Sequence, residues 1–140
     1  MAESFTIDAN VFVSALNPAE VEHHDSLRFF ELLKQTECLV VLPTLVRPEI
    51  AGAIARTTSN PDLGRRIARL AFLPGPTTLI PLDDKLAAEA ADLAASACVK
   101  GPDAVYAAVA RRFDTTLVTL DRELQHRLPS TIICRHPREL

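Results

Sequence analysis

Apolar residues in this chain fall into two kinds of run, and the two kinds alternate. Short β-branched runs at 5–7 (FTI), 38–42 (CLVVL), 77–82 (TTLIPL), 115–120 (TTLVTL) and 131–134 (TIIC) predict strands. CLVVL shows no polar alternation, as expected of a strand buried on both faces of a parallel sheet. Between these runs the apolar positions recur at helical spacing. Residues 11–16 read as a short helix stopped near Asn17-Pro18, and 20–35 as a longer one carrying Leu27, Phe29, Phe30, Leu32 and Leu33. A helix through Ile50, Ala53 and Ile54 ends near Thr57-Thr58-Ser59. It holds Pro48 in its first turn, where a missing N–H costs little. Asn60-Pro61-Asp62 starts another, with Leu63, Ile67 and Leu70 on one face and Arg65, Arg66 and Arg69 over much of the rest. Pro74-Gly75-Pro76 reads as a turn. Asp83-Asp84 caps a long amphipathic helix through Leu86, Ala90, Leu93, Ala94 and Ala97. Gly101-Pro102 breaks it and begins a helix over 103–112, and a last short helix covers 121–128.

Strands alternating with helices predict an α/β fold. A central parallel sheet of four or five strands is covered by helices on both faces, as a three-layer sandwich. With 140 residues, no internal repeat and no linker, the chain reads as a single domain, 1–140. A formal net charge of −3 sets it apart from strongly basic nucleic-acid binders, so any such contact must come from a local patch. No apolar run approaches the ~20 residues that cross a bilayer. The N-terminus has no basic stretch followed by an apolar one, so the expectation is a cytoplasmic protein without a membrane partner. Cys38, Cys98 and Cys134 are odd in number, lie in or beside apolar stretches and have no metal-ligand spacing. They read as buried reduced thiols, which fits a cytosol.

Four acids stand where elements meet. Asp8 and Asp121 each follow a strand run, in FTIDANVFV and TLVTLDREL. Asp103 and Glu49 follow Pro102 and Pro48 at helix starts. In a parallel sheet, strand C-termini and helix N-termini share one rim, which is where such sheets place their sites. Carboxylates gathered there repel one another, and each is pushed up unless a cation intervenes. An all-oxygen set favours magnesium or manganese over zinc. The helix starts near Glu49 and Asp103 favour the ionised forms. Taken singly, Asp103 and Asp121 serve equally well as helix caps, and Glu49 as a surface acid. Asp8, in a D-x-N pair after a buried-type strand, is unusual as a simple cap, and the signal lies in the combination and its order.

IDANVFVSAL, a glutamate in the helix after the second strand, and PDAVYAAVARRFDTTLVTLDREL together resemble a PIN-domain protein. More narrowly they resemble the small VapC-type toxins of toxin–antitoxin pairs. The resemblance spans almost the whole chain, and its most specific piece runs from Asp103 to Asp121. It implies a PIN-like fold and a metal-dependent endoribonuclease that hydrolyses RNA with water as the nucleophile. Asp8, Glu49, Asp103 and Asp121 would be the catalytic residues holding Mg2+ or Mn2+, supported by Asn10 and Thr119. It also implies a homodimer and a cognate antitoxin whose C-terminal segment fills the groove. The chain departs from the family pattern in three places. Asp114 stands where a glycine is frequent, and an aspartate tolerates a left-handed turn there. Leu124 replaces an aromatic. Pro48 directly precedes Glu49 and can shift its angle, while Glu123 is a substitute or additional ligand beside Asp121.

Arg65, Arg66 and Arg69, with Arg56 upstream, form the best basic patch, either contacting RNA phosphates or simply a solvated face. Arg111 and Arg112 suit a helix C-terminus, or one of them reaches the site or the antitoxin. His23 and His24, adjacent on a helix, point apart and read as surface residues. His126 and His136 have no acid at metal spacing, and Tyr106 reads as packing or a dimer contact. A phosphohydrolase on such a sheet would want Asp-x-Asp and a downstream lysine. Here the third position is Asn10, and Lys100 sits at the Gly101-Pro102 break. A receiver-type domain would want an acidic pair near the first strand, which is absent. An RNA-processing PIN nuclease without an antitoxin and a non-catalytic PIN module binding RNA or protein remain the alternatives.

Overall fold

The computed structural model describes residues 3–70 and 75–140. Strands β1 (Ser4–Ile7), β2 (Leu39–Pro43), β3 (Thr77–Ile80), β4 (Thr116–Val118) and β5 (Cys134–Arg135) form one sheet. Every pair is parallel, in the order β3-β2-β1-β4-β5. Around it lie α1 (Ala9–Leu16), α2 (His23–Gln35), α3 (Val46–Thr58), α4 (Pro61–Leu70), α5 (Asp84–Ala97), α6 (Gly101–Phe113) and α7 (Arg122–Arg127). A short 3-10 helix, Pro137–Glu139, follows β5. This is the expected α/β sandwich about a central parallel sheet, here of five strands.

The order of the strands places the site. From β1 the chain builds outward through β2 to β3, then returns to lay β4 and β5 on the other side of β1. The direction reverses between β1 and β4, and a crevice opens beyond their C-terminal ends at such a switch point. Asp8 follows β1, and Thr119 and Asp121 follow β4. The register locks these ends together. Ile7 pairs with Val118, and the Asp8 amide donates to Val118 O at 2.9 Å.

Helix α6 carries the alanine-rich stretch, and residues 104–110 are all buried. Four of those seven are alanine, so the helix backbone lies close to β1, β2 and β4 with little side chain between. Asp114 ends α6 in the left-handed region (φ 53°), the conformation expected of the residue at that place. Helices α3 and α4 pack as a tight pair. A Cβ on Gly64 would stand 2.5 Å from Ala51 O, so only glycine lets them meet this closely.

Boundaries differ from expectation where local hydrogen bonds win. Helix α2 begins at His23 rather than near residue 20, because Asn17 O accepts from the Glu20 amide and its Oδ1 from the Ala19 amide, holding a turn. The last strand is displaced from 131–134 to Cys134–Arg135, since the Ile132 amide bonds Pro129 O in a turn. Of the expected Pro74-Gly75-Pro76 turn, Pro74 lies outside the described residues, and Gly75 adopts φ 106°. Asp83 caps α5 through the Leu86 amide as expected (2.9 Å). The cysteines are free but not all buried. Cys38 and Cys134 are half-buried, and Cys98 is exposed because it occupies the left-handed cap that ends α5. Among the described residues, no helix is long and apolar enough to cross a membrane.

Candidate active site

Asp8 is the N-cap of α1, which turns its side chain back over the strand ends. It is 6% exposed. Thr119 Oγ1 donates to Asp8 Oδ2 at 2.9 Å, and the Asn10 amide approaches Oδ1 at 3.5 Å. The same threonine oxygen accepts from Asn10 Nδ2 (3.3 Å) and from the Asp121 amide (3.1 Å). Asn10 Oδ1 closes the knot by accepting from the Leu120 amide (3.3 Å). Thr119, fully buried, is thus the hinge pin between β1 and β4. Asn10 and Thr119 stand where a supporting role would need them.

Asp121 caps α7 through Oδ1 and the Leu124 amide at 3.1 Å. Asp103 and Glu49 come from the first turns of α6 and α3. Pro48 sits inside the first turn of α3, which begins two residues before it, and Glu49 still reaches the cleft. All four predicted acids line one cleft of about 630 Å³, with Glu20 as a fifth acid and Arg56 and Lys100 as its cations. Glu123 does not line it; it is exposed and pairs with Arg127 at 2.8 Å. Arg65, Arg66 and Arg69 are exposed on α4 and are not among the lining residues. Arg65 pairs with Asp62 at 2.7 Å.

The electrostatics follow from burial and crowding. Burial raises Asp8 to about 7, and the nearby Asp103 and Glu49 charges add to this; the Thr119 and Asn10 hydrogen bonds oppose it. Asp103 is also raised, by burial first and then by Asp121 and Glu49, with Lys100 opposing. Burial and the crowded carboxylates set the direction at Asp103 despite its place at a helix start. Cys134 lies nearby, and its thiol is pushed up to about 12 by burial and then by Asp8, which keeps it protonated.

Sequence reasoning missed two contributors, Tyr106 as a partner of Glu49 and Glu20. Tyr106, read as packing or dimer contact, is buried and donates its hydroxyl to Glu49 Oε1 at 2.7 Å. Burial and that hydrogen bond hold its phenol well above the usual range, so it remains a donor. The i, i+3 spacing of Asp103 and Tyr106 was the available signal. Glu20 had no signal, because only the fold brings it to the rim; Arg56, expected in the basic patch with Arg65, Arg66 and Arg69, instead lines the cleft.

The donor set suits a hard divalent cation. The cleft is lined by carboxylates, with no imidazole or thiol among the described residues. A second group, Glu22, Asp25 and His136, brings its ligand atoms within 4.8 Å of one another. This overturns the expectation that His136 has no acid nearby, because α2 packs against the C-terminal 3-10 helix. That group is already closed. Arg138 reaches Glu22 at 3.4 Å and Asp25 at 3.3 Å. The Arg138 amide donates to His136 Nδ1 at 3.0 Å, so the ring proton sits on Nε2. Nε2 faces Glu22 at 3.1 Å, out of line for a good hydrogen bond, and has no lone pair to offer a cation. His23 is half-buried, its Nδ1 2.9 Å from Ser14 O. A separate apolar hollow of about 290 Å³, between Phe12, Phe30 and Ile67, contains no carboxylate.

The PIN domain family model matches residues 5–128. Comparison with curated proteins gives no significant match. Among solved structures, the chain is similar to one in VapBC2 from Rickettsia felis bound to a DNA fragment from their promoter. The identity is 14% and the TM-score 0.71, over 95% of this chain and 98% of that one. It is similar to VapC20 of Mycobacterium tuberculosis, a sarcin–ricin loop cleaving toxin, at 14% identity and TM-score 0.73, over 87% and 93%. It is also similar to a chain of FitAcB from Neisseria gonorrhoeae, at 20% identity and TM-score 0.67, over 97% and 99%. At these identities the likeness is one of fold.

Proposed function

The chain belongs to the PIN domain family, and from that premise we propose that it is a metal-dependent endoribonuclease, the toxin of a type II toxin–antitoxin pair. The observation that carries the reading is the meeting of Asp8, Glu49, Asp103 and Asp121, from four separate elements, in one cleft at the switch point of the sheet. The likeness in fold to chains of VapBC2 and FitAcB and to VapC20 supports it.

The four carboxylates would hold Mg2+ or Mn2+. When bound, the cation supplies neutralisation of the phosphodiester and activation of water. The protein does the rest. Thr119 and Asn10 fix Asp8, and Tyr106 holds Glu49. Arg56 and Lys100 line the same cleft and would contact phosphates of the RNA. Arg65, Arg66 and Arg69 extend the basic surface for RNA along α4. The partners on this reading are an RNA substrate, a second copy of the chain as a homodimer, and a cognate antitoxin whose segment occupies the cleft.

The experiment is RNA cleavage by the purified chain with Mg2+ or Mn2+, with EDTA and Asp103→Asn as controls. Cleavage that requires both the metal and Asp103 is the expected result. Failure of wild type on several structured RNAs at saturating metal, or equal cutting by both proteins, overturns the proposal. Co-expression with the neighbouring reading frame tests the partner, and the expected result is a co-purifying small protein that suppresses cutting.

A further inference from the structure

Tyr106 lies one turn beyond Asp103 on α6, so one face of that helix carries both. The tyrosine is 1% exposed. A buried phenol requires hydrogen-bond partners; beside a backbone hydrogen bond from Ala9, this one donates to a carboxylate of the cleft, Glu49 Oε1, at 2.7 Å, 57 residues away in sequence. Two of the other acids are held differently. Asp8 is fixed by Thr119 and Asn10, and Asp121 by the Leu124 amide. Glu49 reaches the cleft on a longer side chain with one more rotatable bond, follows a proline, and is no helix cap. Its carboxylate therefore has more freedom to lose than those of Asp8 and Asp121, and the tyrosine hydroxyl removes it.

We infer that Tyr106 is a positioning residue, whose hydroxyl orients Glu49 toward a divalent cation without touching cation or substrate. The inference rests on the nuclease reading, in which Glu49 is a ligand. Partners that orient metal-binding side chains are typically worth roughly 10–100-fold in metal affinity. Tyr106→Phe keeps the ring and its packing and removes only the hydroxyl.

The test is calorimetric titration of the full chain with Mn2+ for wild type, Tyr106→Phe, Glu49→Gln and the double variant, with thermal melts alongside. The expected result is a cooperative melt for Tyr106→Phe and Mn2+ affinity weakened about 10-fold. Adding Tyr106→Phe to Glu49→Gln should weaken it no further, because the hydroxyl acts through that carboxylate. Wild-type affinity in Tyr106→Phe, or an equal loss in both backgrounds, overturns the inference and leaves the nuclease reading standing. Absence of Mn2+ binding by wild type overturns both. A readout that needs no tyrosine variant is also built in, since Tyr106 is the single tyrosine of a chain without tryptophan. Mg2+ should change its emission in wild type and not in Glu49→Gln. Emission unmoved while calorimetry records Mg2+ binding also overturns the inference.

Discussion

Two acidic groups stand at opposite ends of one short turn. Glu20 faces the cleft of Asp8, Glu49, Asp103 and Asp121; two residues on, Glu22 joins Asp25 and His136. The second group is internally compensated. Arg138 bridges both its carboxylates, and the tightness of the cluster reflects that counter-charge. The first is not compensated to the same degree. Its cations, Arg56 and Lys100, line the cleft, yet Asp8 is raised to about 7 and Asp103 is raised as well. Proximity of acids alone therefore does not identify a functional centre. The informative difference is whether the protein has already supplied the cation.

The largest effect should come from breaking the cleft. Asp8→Asn is expected to abolish metal-dependent cleavage in an RNA assay while the protein stays folded. Its stability should change in a specific direction. Folded Asp8 holds a proton until about 7, whereas an unfolded aspartate releases it near 3.8. The metal-free protein is therefore most stable with respect to this group below about 4, and loses that stability as pH rises to about 7. The loss is on the order of 4 kcal/mol. Urea unfolding at pH 5 and pH 8 without metal should show this decline in wild type and a flatter profile in Asp8→Asn. Equal slopes would remove the distinction between the two acidic groups.

A smaller effect is expected from the compensated group. Arg138→Ala should cost about 1 kcal/mol or less by chemical denaturation, because the arginine is half exposed. It should leave RNA cleavage unchanged, and a loss of cleavage would tie the C-terminal turn to the cleft. The smallest change is expected on α4. Arg65→Ala with Arg66→Ala should weaken RNA binding modestly and flatten its salt dependence. An unchanged salt slope would return that helix to a solvated face.

The alternation of strands and helices and the four acids were legible because each depends on local pattern. Asp8 and Asp121 are read from the strands they follow, and Asp103 from the break before its helix. The left-handed turn at Asp114 was legible for the same reason. What could not be read depends on strand order. Tyr106 meets Glu49 across 57 residues, and His136 meets Glu22 because a C-terminal turn packs on α2. The boundaries of α2 and β5 moved because side-chain and turn hydrogen bonds in 17–22 and 129–132 compete with regular structure. The exposure of Cys98 followed from a left-handed helix end that hydrophobic pattern does not reveal.

The hydrogen bond from Thr119 to Asp8 spans 111 residues, and that separation becomes a matter of time during synthesis. At roughly 5–20 residues per second, Thr119 is joined to the chain on the order of ten seconds after Asp8. Until residue 103 is added the nascent chain carries at most Asp8 and Glu49, and the strand that pins Asp8 in place comes later still. On the nuclease reading, the growing chain thus has no cleft with which to cut RNA until β4 has been made.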